Sequence, residues 1–128
     1  MKRNVIILLI AVCATAAGAW APQVQDGGNV KTIDVIASRF QFEPATITVA
    51  QGDRVRLRLH SADRTHAFAI KALRVKTLIP SAGEAVIVEF VADRAGNFDF
   101  TCAEYCGTGH ARMKGRLVVV APGAASFL

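Results

Sequence analysis

From Ile33 onward, apolar and polar residues alternate with period two, the spacing that sends successive side chains of an extended strand to opposite faces. Ile33, Val35 and Ala37 alternate with Thr32, Asp34 and Ile36, and Phe40 and Phe42 carry the pattern on to Pro44. Ile47-Thr48-Val49 reads as a short strand, closed by a turn at Gln51-Gly52-Asp53. Val55, Leu57 and Leu59 point one way while Arg56, Arg58 and His60 point the other, which is the signature of a half-buried strand. His66–Ile70 and then Val86, Val88 and Phe90 repeat the alternation. A turn at Ala95-Gly96-Asn97 precedes Phe98, Phe100 and Cys102, which share a face, and Leu117–Val120 supplies the last strand. Helical spacing is missing from this whole stretch. Short strands separated by turn signals predict an all-β, antiparallel sandwich.

The first residues differ in kind. Met1-Lys2-Arg3-Asn4 is a short basic start, Val5–Val12 is almost wholly apolar, and Ala14–Ala21 is rich in small residues with two Ala-x-Ala sites ending at Ala19 and Ala21. That is the layout of a secretory signal peptide. Val5–Ala21 gives 17 mostly apolar residues, which also suits a short membrane anchor. Lipidation at Cys13 is disfavoured by Val12, which stands where a small residue is wanted. The chain of 128 residues has room for one domain. The expected division is a signal peptide or anchor over 1–21, a linker over 22–30, a sandwich domain over 31–122 and a tail over 123–128. Both readings of the leader place the domain on the exported, periplasmic side of the cytoplasmic membrane. The net charge is +5, and loss of Lys2 and Arg3 with the leader brings it to +3. That surface is too mildly basic for nucleic acid, and no arginine-rich run or aromatic platform accompanies it.

The chemistry is concentrated in Cys102-Ala-Glu104-Tyr-Cys106-Gly-Thr-Gly-His110-Ala-Arg-Met113, which gathers two thiolates, an imidazole and a thioether into twelve residues. Soft sulfur donors select copper, zinc or iron–sulfur over hard cations. In an oxidising compartment two cysteines are by default a disulfide. His110 and Met113 shift that balance toward a metal, because a disulfide needs neither. One Cys, two His and a weak axial Met make a blue-copper site, so the second thiolate is surplus to a single copper of that type. Copper loading then competes with thiol oxidation, so a thiol reductant and a copper-delivery factor are expected. The remaining histidines are His66, at the head of a strand, and His60, on the polar face with Arg56 and Arg58 and therefore expected to be exposed and not a ligand. No nucleophile–base pair or substrate-pocket signature is present, so catalysis by this chain alone is not expected.

The segment from Cys102 to Met113 resembles the CuA loop of cytochrome c oxidase subunit II, a member of the cupredoxin superfamily also represented in nitrous oxide reductase. Ser61-Ala-Asp63-Arg-Thr-His66-Ala-Phe resembles the family's upstream segment, in which an Asp three residues ahead of a His introduces the remaining ligand. Phe40–Pro44 and Ile47–Asp53 are similar to its early strands. The resemblance implies a Greek-key cupredoxin fold and a dinuclear CuA centre. Cys102 and Cys106 would bridge two copper ions, and His66 and His110 would each terminate one. Met113 would be the weak ligand of one copper, and the backbone carbonyl of Glu104 that of the other. It further implies an electron-transfer role, from a cytochrome c-like donor to the catalytic subunit of a haem–copper oxidase.

The chain also departs from that family's usual form. Most subunit II chains carry two membrane helices and a tryptophan-rich segment, whereas the one Trp here, Trp20, belongs to the leader. A compact or stand-alone CuA protein is the form it resembles. Two alternatives stay open on the sequence: a periplasmic copper-binding or delivery cupredoxin without redox turnover, and a metal-free sandwich stapled by a Cys102–Cys106 disulfide.

Overall fold

The computed structural model describes residues 30–123. The expected leader with Cys13 and Trp20, all but the last residue of the expected linker, and residues 124–128 lie outside them. Within the described residues nine strands form: β1 (Val30–Ser38), β2 (Gln41–Glu43), β3 (Thr46–Ala50), β4 (Arg54–Ser61), β5 (His66–Ile70), β6 (Val75–Ile79), β7 (Val86–Val91), β8 (Gly96–Cys102) and β9 (Lys114–Val120). The remaining regular structure is two 3₁₀ turns, Lys71–Leu73 and His110–Arg112. No helix among the described residues is long and apolar enough to cross a membrane.

The strands make two sheets, ordered β2-β1-β4-β7 and β3-β9-β8-β5-β6. Five strand pairs are antiparallel as expected, but β1–β4 and β3–β9 are parallel. Both parallel pairs follow from the chain changing sheets. After β2 it crosses to the second sheet as β3, and it returns to the first as β4. Between Ser61 and His66 it crosses again, and that crossing delivers His66 to the second sheet.

Burial alternates where the sequence alternates. In β4, Val55, Leu57 and Leu59 are buried between exposed Arg56 and Arg58. The core closes on three rings: Phe42 meets Phe68 and Phe100 edge-on at 5.6 and 5.4 Å between centroids, and Phe68 lies 5.0 Å from Phe100. Each ring contributes roughly 1.5–3 kcal/mol of burial, with further gain from edge-to-face contact.

Five local expectations change. The run from Ile33 to Pro44 is not one strand but a hairpin that reverses at Arg39-Phe40, with Ser38 opposite Gln41. The cue is a parity slip: Val35 and Ala37 are buried at odd positions but Phe42 at an even one, which fits a turn between them. Gly96 and Asn97 already belong to β8, the last strand begins at Lys114, and β6 was not anticipated. Finally, all five residues of β5 are buried, because Ala67 and Ala69 on its second face expose almost no surface between the flanking strands β6 and β8.

Candidate metal centre

Strand register explains why residues 36 positions apart meet. β8 lies between β5 and β9, with Phe68 opposite Cys102 and Thr101 opposite Lys114. The first residue of β5 (His66), the last of β8 (Cys102) and the residue preceding β9 (Met113) therefore come to the same end of one sheet. The amide of Cys102 donates to the Met113 carbonyl at 3.1 Å, and the amide of Ala103 to that of Ala67 at 3.1 Å, pinning the two margins of the site. The intervening loop ends in a 3₁₀ turn, with His110 N–H donating to Gly107 O and Met113 N–H to His110 O, each at 3.1 Å. That turn presents His110 and Met113 on the side facing the cysteines.

The six candidate positions named from the sequence converge. Cys102 Sγ lies 3.7 Å from Cys106 Sγ and 3.9 Å from His66 Nδ1. Cys106 Sγ lies 3.8 Å from His110 Nδ1 and 3.7 Å from Met113 Sδ. The Glu104 carbonyl oxygen is 3.0 Å from Cys102 Sγ. The donor atoms of His66, Cys102 and Cys106 all fall within 4.8 Å of one another. His66, Cys102, Cys106 and Met113 are buried, His110 is half-buried and Glu104 is exposed.

Both cysteines are free thiols. A disulfide needs sulfurs about 2.05 Å apart, so 3.7 Å excludes that bond in this arrangement. A metal at about 2.3 Å from sulfur and about 2.0 Å from nitrogen, the lengths known for zinc, has tetrahedral edges of roughly 3.5–3.8 Å. The sulfur–sulfur spacing of 3.7 Å matches its edge and the sulfur–nitrogen spacings of 3.8–3.9 Å lie a few tenths of an ångström beyond theirs, and soft donors in this number fit copper. Each sulfur also has its own imidazole, a symmetry that one metal ion would not require.

The surrounding groups fix the donors. Asp63 Oδ1 lies 2.7 Å from His66 Nε2. A carboxylate only accepts, so Nε2 carries the proton and the Nδ1 lone pair is left facing the sulfur. Asp63 also accepts the Arg39 and Arg64 amides at 2.7 Å each. Burial alone would raise the Asp63 carboxyl, but these hydrogen bonds and the imidazole hold it at about 2. Burial pushes the Cys106 thiol up to about 11, with the Cys102 sulfur adding to the effect and the Arg64 guanidinium opposing it. A metal must therefore displace a proton there.

Phe40 packs under the loop so closely that a Cβ on Gly109 would come within 2.2 Å of its ring, and one on Gly107, already at φ +136°, within 2.9 Å. Tyr105, 72% exposed, stands over His110 with ring centroids 5.7 Å apart. The orienting role of Asp63 was within reach of the Asp-x-x-His spacing. Nothing in the sequence pattern marked Phe40 or Arg64 as touching the loop.

His60 stays away from this cluster. Its side chain is 40% exposed and it approaches Asp34 at 3.8 Å on the outer face of the other sheet, as its alternation with Leu59 required. Arg112 and Lys114, which flank Met113, are exposed.

Comparison with known proteins agrees with this geometry. Residues 5–119 match the family model described as a cupredoxin-like domain. Two Thermus thermophilus proteins named cytochrome c oxidase subunit 2 are each 34% identical over 107 residues, an alignment spanning 80% of this chain and 78% and 62% of theirs. Among solved structures, the periplasmic domain of subunit II of cytochrome oxidase (CoxB) of Bradyrhizobium japonicum superposes with a TM-score of 0.66 at 23% identity, over 76% of this chain and 88% of that one. A mixed-disulfide intermediate between thioredoxin-like TlpAs and a CoxB subunit II domain superposes with a TM-score of 0.61 at 22% identity, over 76% and 86%. With a buried cluster of His66, Cys102 and Cys106 compatible with copper at the end of a nine-stranded sandwich, this chain belongs to the cupredoxin-like domain family and is a relative of cytochrome c oxidase subunit 2.

Proposed function

We propose that this chain carries a dinuclear CuA centre and passes single electrons from a cytochrome c-like donor to the catalytic subunit of a haem–copper oxidase. The observation that carries the proposal is the pairing of donors: two buried thiols 3.7 Å apart, each with a separate imidazole nitrogen at 3.8–3.9 Å. Cys102 and Cys106 would hold the two coppers between them, His66 and His110 would each complete one, and Met113 and the Glu104 carbonyl would be the weak outer ligands. Such a centre would supply one-electron chemistry with the charge change spread over both metals.

The protein's part is to hold the donors still. His66 and Cys102 sit on hydrogen-bonded strand ends, Asp63 fixes the imidazole tautomer, and Phe40 supports the loop from below. Donors that cannot move leave little reorganisation when an electron arrives. Tyr105 over His110 is the exposed aromatic group nearest the centre, which suits a contact point for the donor.

The site faces the periplasm, delivered there by residues 1–21, which either are removed as a signal peptide or remain as an anchor. Assembly needs the thiols reduced, which assigns a thiol reductant and a copper-delivery factor as partners; the mixed disulfide known for a structurally similar subunit II domain is consistent with that chemistry. The test is electrochemical. The copper-loaded domain should show a reversible one-electron couple and rapid oxidation of a reduced cytochrome c-like donor. Copper that binds but passes to chelators without a reversible couple would favour the delivery reading.

A further inference from the structure

We propose that Arg64 is a positioning residue for the metal centre: it clamps the Cys106 end of the ligand loop to the turn that carries His66, and it sets a fixed positive charge beside the bridging sulfur. This rests on the copper reading above. Arg64 Nη1 donates to the Cys106 carbonyl at 2.7 Å across 42 residues of sequence. It is the one side-chain hydrogen bond among the described residues that joins the His66 turn to the Cys106 loop apart from the donor atoms themselves.

The base of this clamp is rigid. Ser61 Oγ donates to the Arg64 carbonyl, the Arg64 amide donates to Asp63 Oδ1 at 2.7 Å, and Asp63 Oδ1 in turn accepts from His66. Arg64 thus leaves a turn that is already locked to one ligand, and its guanidinium fixes the peptide of another. The far end is equally consequential. Cys106–Gly107 heads the 3₁₀ turn through the bond from His110 N–H to Gly107 O, so holding the Cys106 carbonyl also holds His110 and Met113. A Cβ on Gly107 would lie 3.5 Å from Arg64 Nη1, which places the guanidinium over that peptide.

Electrostatics adds a second consequence. Electron uptake adds one negative charge to the centre, with no bond made or broken. A guanidinium held against Cys106 favours that reduced state. At an effective dielectric near that of a protein surface, removing such a neighbour changes the ratio of reduced to oxidised centre on the order of tenfold at a fixed poise.

The test uses the exported domain with Arg64→Met, which keeps the apolar stem, and Arg64→Lys, which keeps the charge without the planar fork. In the copper-free, reduced protein, amide hydrogen exchange over residues 102–113 should speed up several-fold in Arg64→Met while β4 and β9 keep their rates. Unchanged loop exchange overturns the clamp. In the copper-loaded protein the visible spectrum of Arg64→Met should persist while its reduced fraction at a fixed poise falls, with Arg64→Lys closer to the parent. Equal reduced fractions in all three proteins overturn the electrostatic role. A parent protein that fails to bind two coppers counts against the proposed function instead, and the exchange measurement still decides the clamp.

Discussion

His60 and His66 are six residues apart, yet they occupy opposite kinds of surroundings. His60 ends the outward-facing row of β4, two-fifths exposed, with Asp34 on the neighbouring strand as its partner. That face is laced with exposed ion pairs, Arg58 with Asp34 and Arg56 with Glu89. Such pairs contribute about 0–1 kcal/mol each and do not orient anything further. His66 opens a strand buried along its whole length, is itself fully buried, and has Nε2 held by Asp63 while Nδ1 faces the Cys102 sulfur. The difference is made by five residues. Ser61–Thr65 carries the chain from one sheet to the other, and its Asp63 sets the proton on His66. A histidine becomes a candidate ligand here through the crossing that buries it and the carboxylate that leaves its Nδ1 free, not through proximity in sequence.

Removing each imidazole in turn separates the two histidines most strongly. His66→Ala should open the coordination of one copper and collapse the delocalised spectrum, because no other described side chain can replace Nδ1 at Cys102. Survival of the two-copper spectrum in His66→Ala would show the ligand assignment to be wrong.

Asp63 gives the next largest effect. Its carboxyl is held at about 2 against an ordinary 3.8, so its contribution to stability is complete above 3.8 and is lost as pH falls toward 2. Urea unfolding of the reduced, copper-free domain should therefore weaken across that window. Asp63→Asn should be less stable than the parent at neutral pH and should lose less of its stability across the same window. Parallel pH profiles would show that the Asp63 carboxylate does not stabilise the fold.

Met113→Leu should act more gently. The thioether is buried 3.7 Å from Cys106, and as a weak axial ligand it tunes the potential more than it holds the metal. Both coppers should remain while the potential shifts; loss of all copper on titration would show that Met113 does more than tune. The smallest effect belongs to His60→Ala, which should leave the copper spectrum unchanged and alter stability by no more than about 0.5 kcal/mol, as surface substitutions usually do.

Much of this molecule can be read without coordinates where one rule acts alone. Val55–Leu59 alternates, is half-buried, and forms a strand with the expected face inward. The loop from Cys102 to Met113 is legible because its donors are close in sequence and chemically unusual. The reading is weaker where two effects compete. Between Ala37 and Phe42 the alternation slips by one residue, and a hairpin takes the place of a longer strand. Val75–Ile79 buries only its two ends, so period two is masked by exposed Leu78 on the outer side. Parallel pairing of β1 with β4 and of β3 with β9 depends on crossings that no local pattern specifies. Phe40 and Arg64 are further from reach, since their contacts with the Cys106–Gly109 segment join parts of the chain that meet only after both sheets have formed.

The proposed centre rests on two thiolates bridging two copper ions. Copper content and electron paramagnetic resonance of the loaded domain, taken on one sample, test it most directly. Two coppers per chain and hyperfine coupling of one unpaired electron to both are expected. One copper per chain, zinc in its place, or a signal confined to a single copper would contradict it.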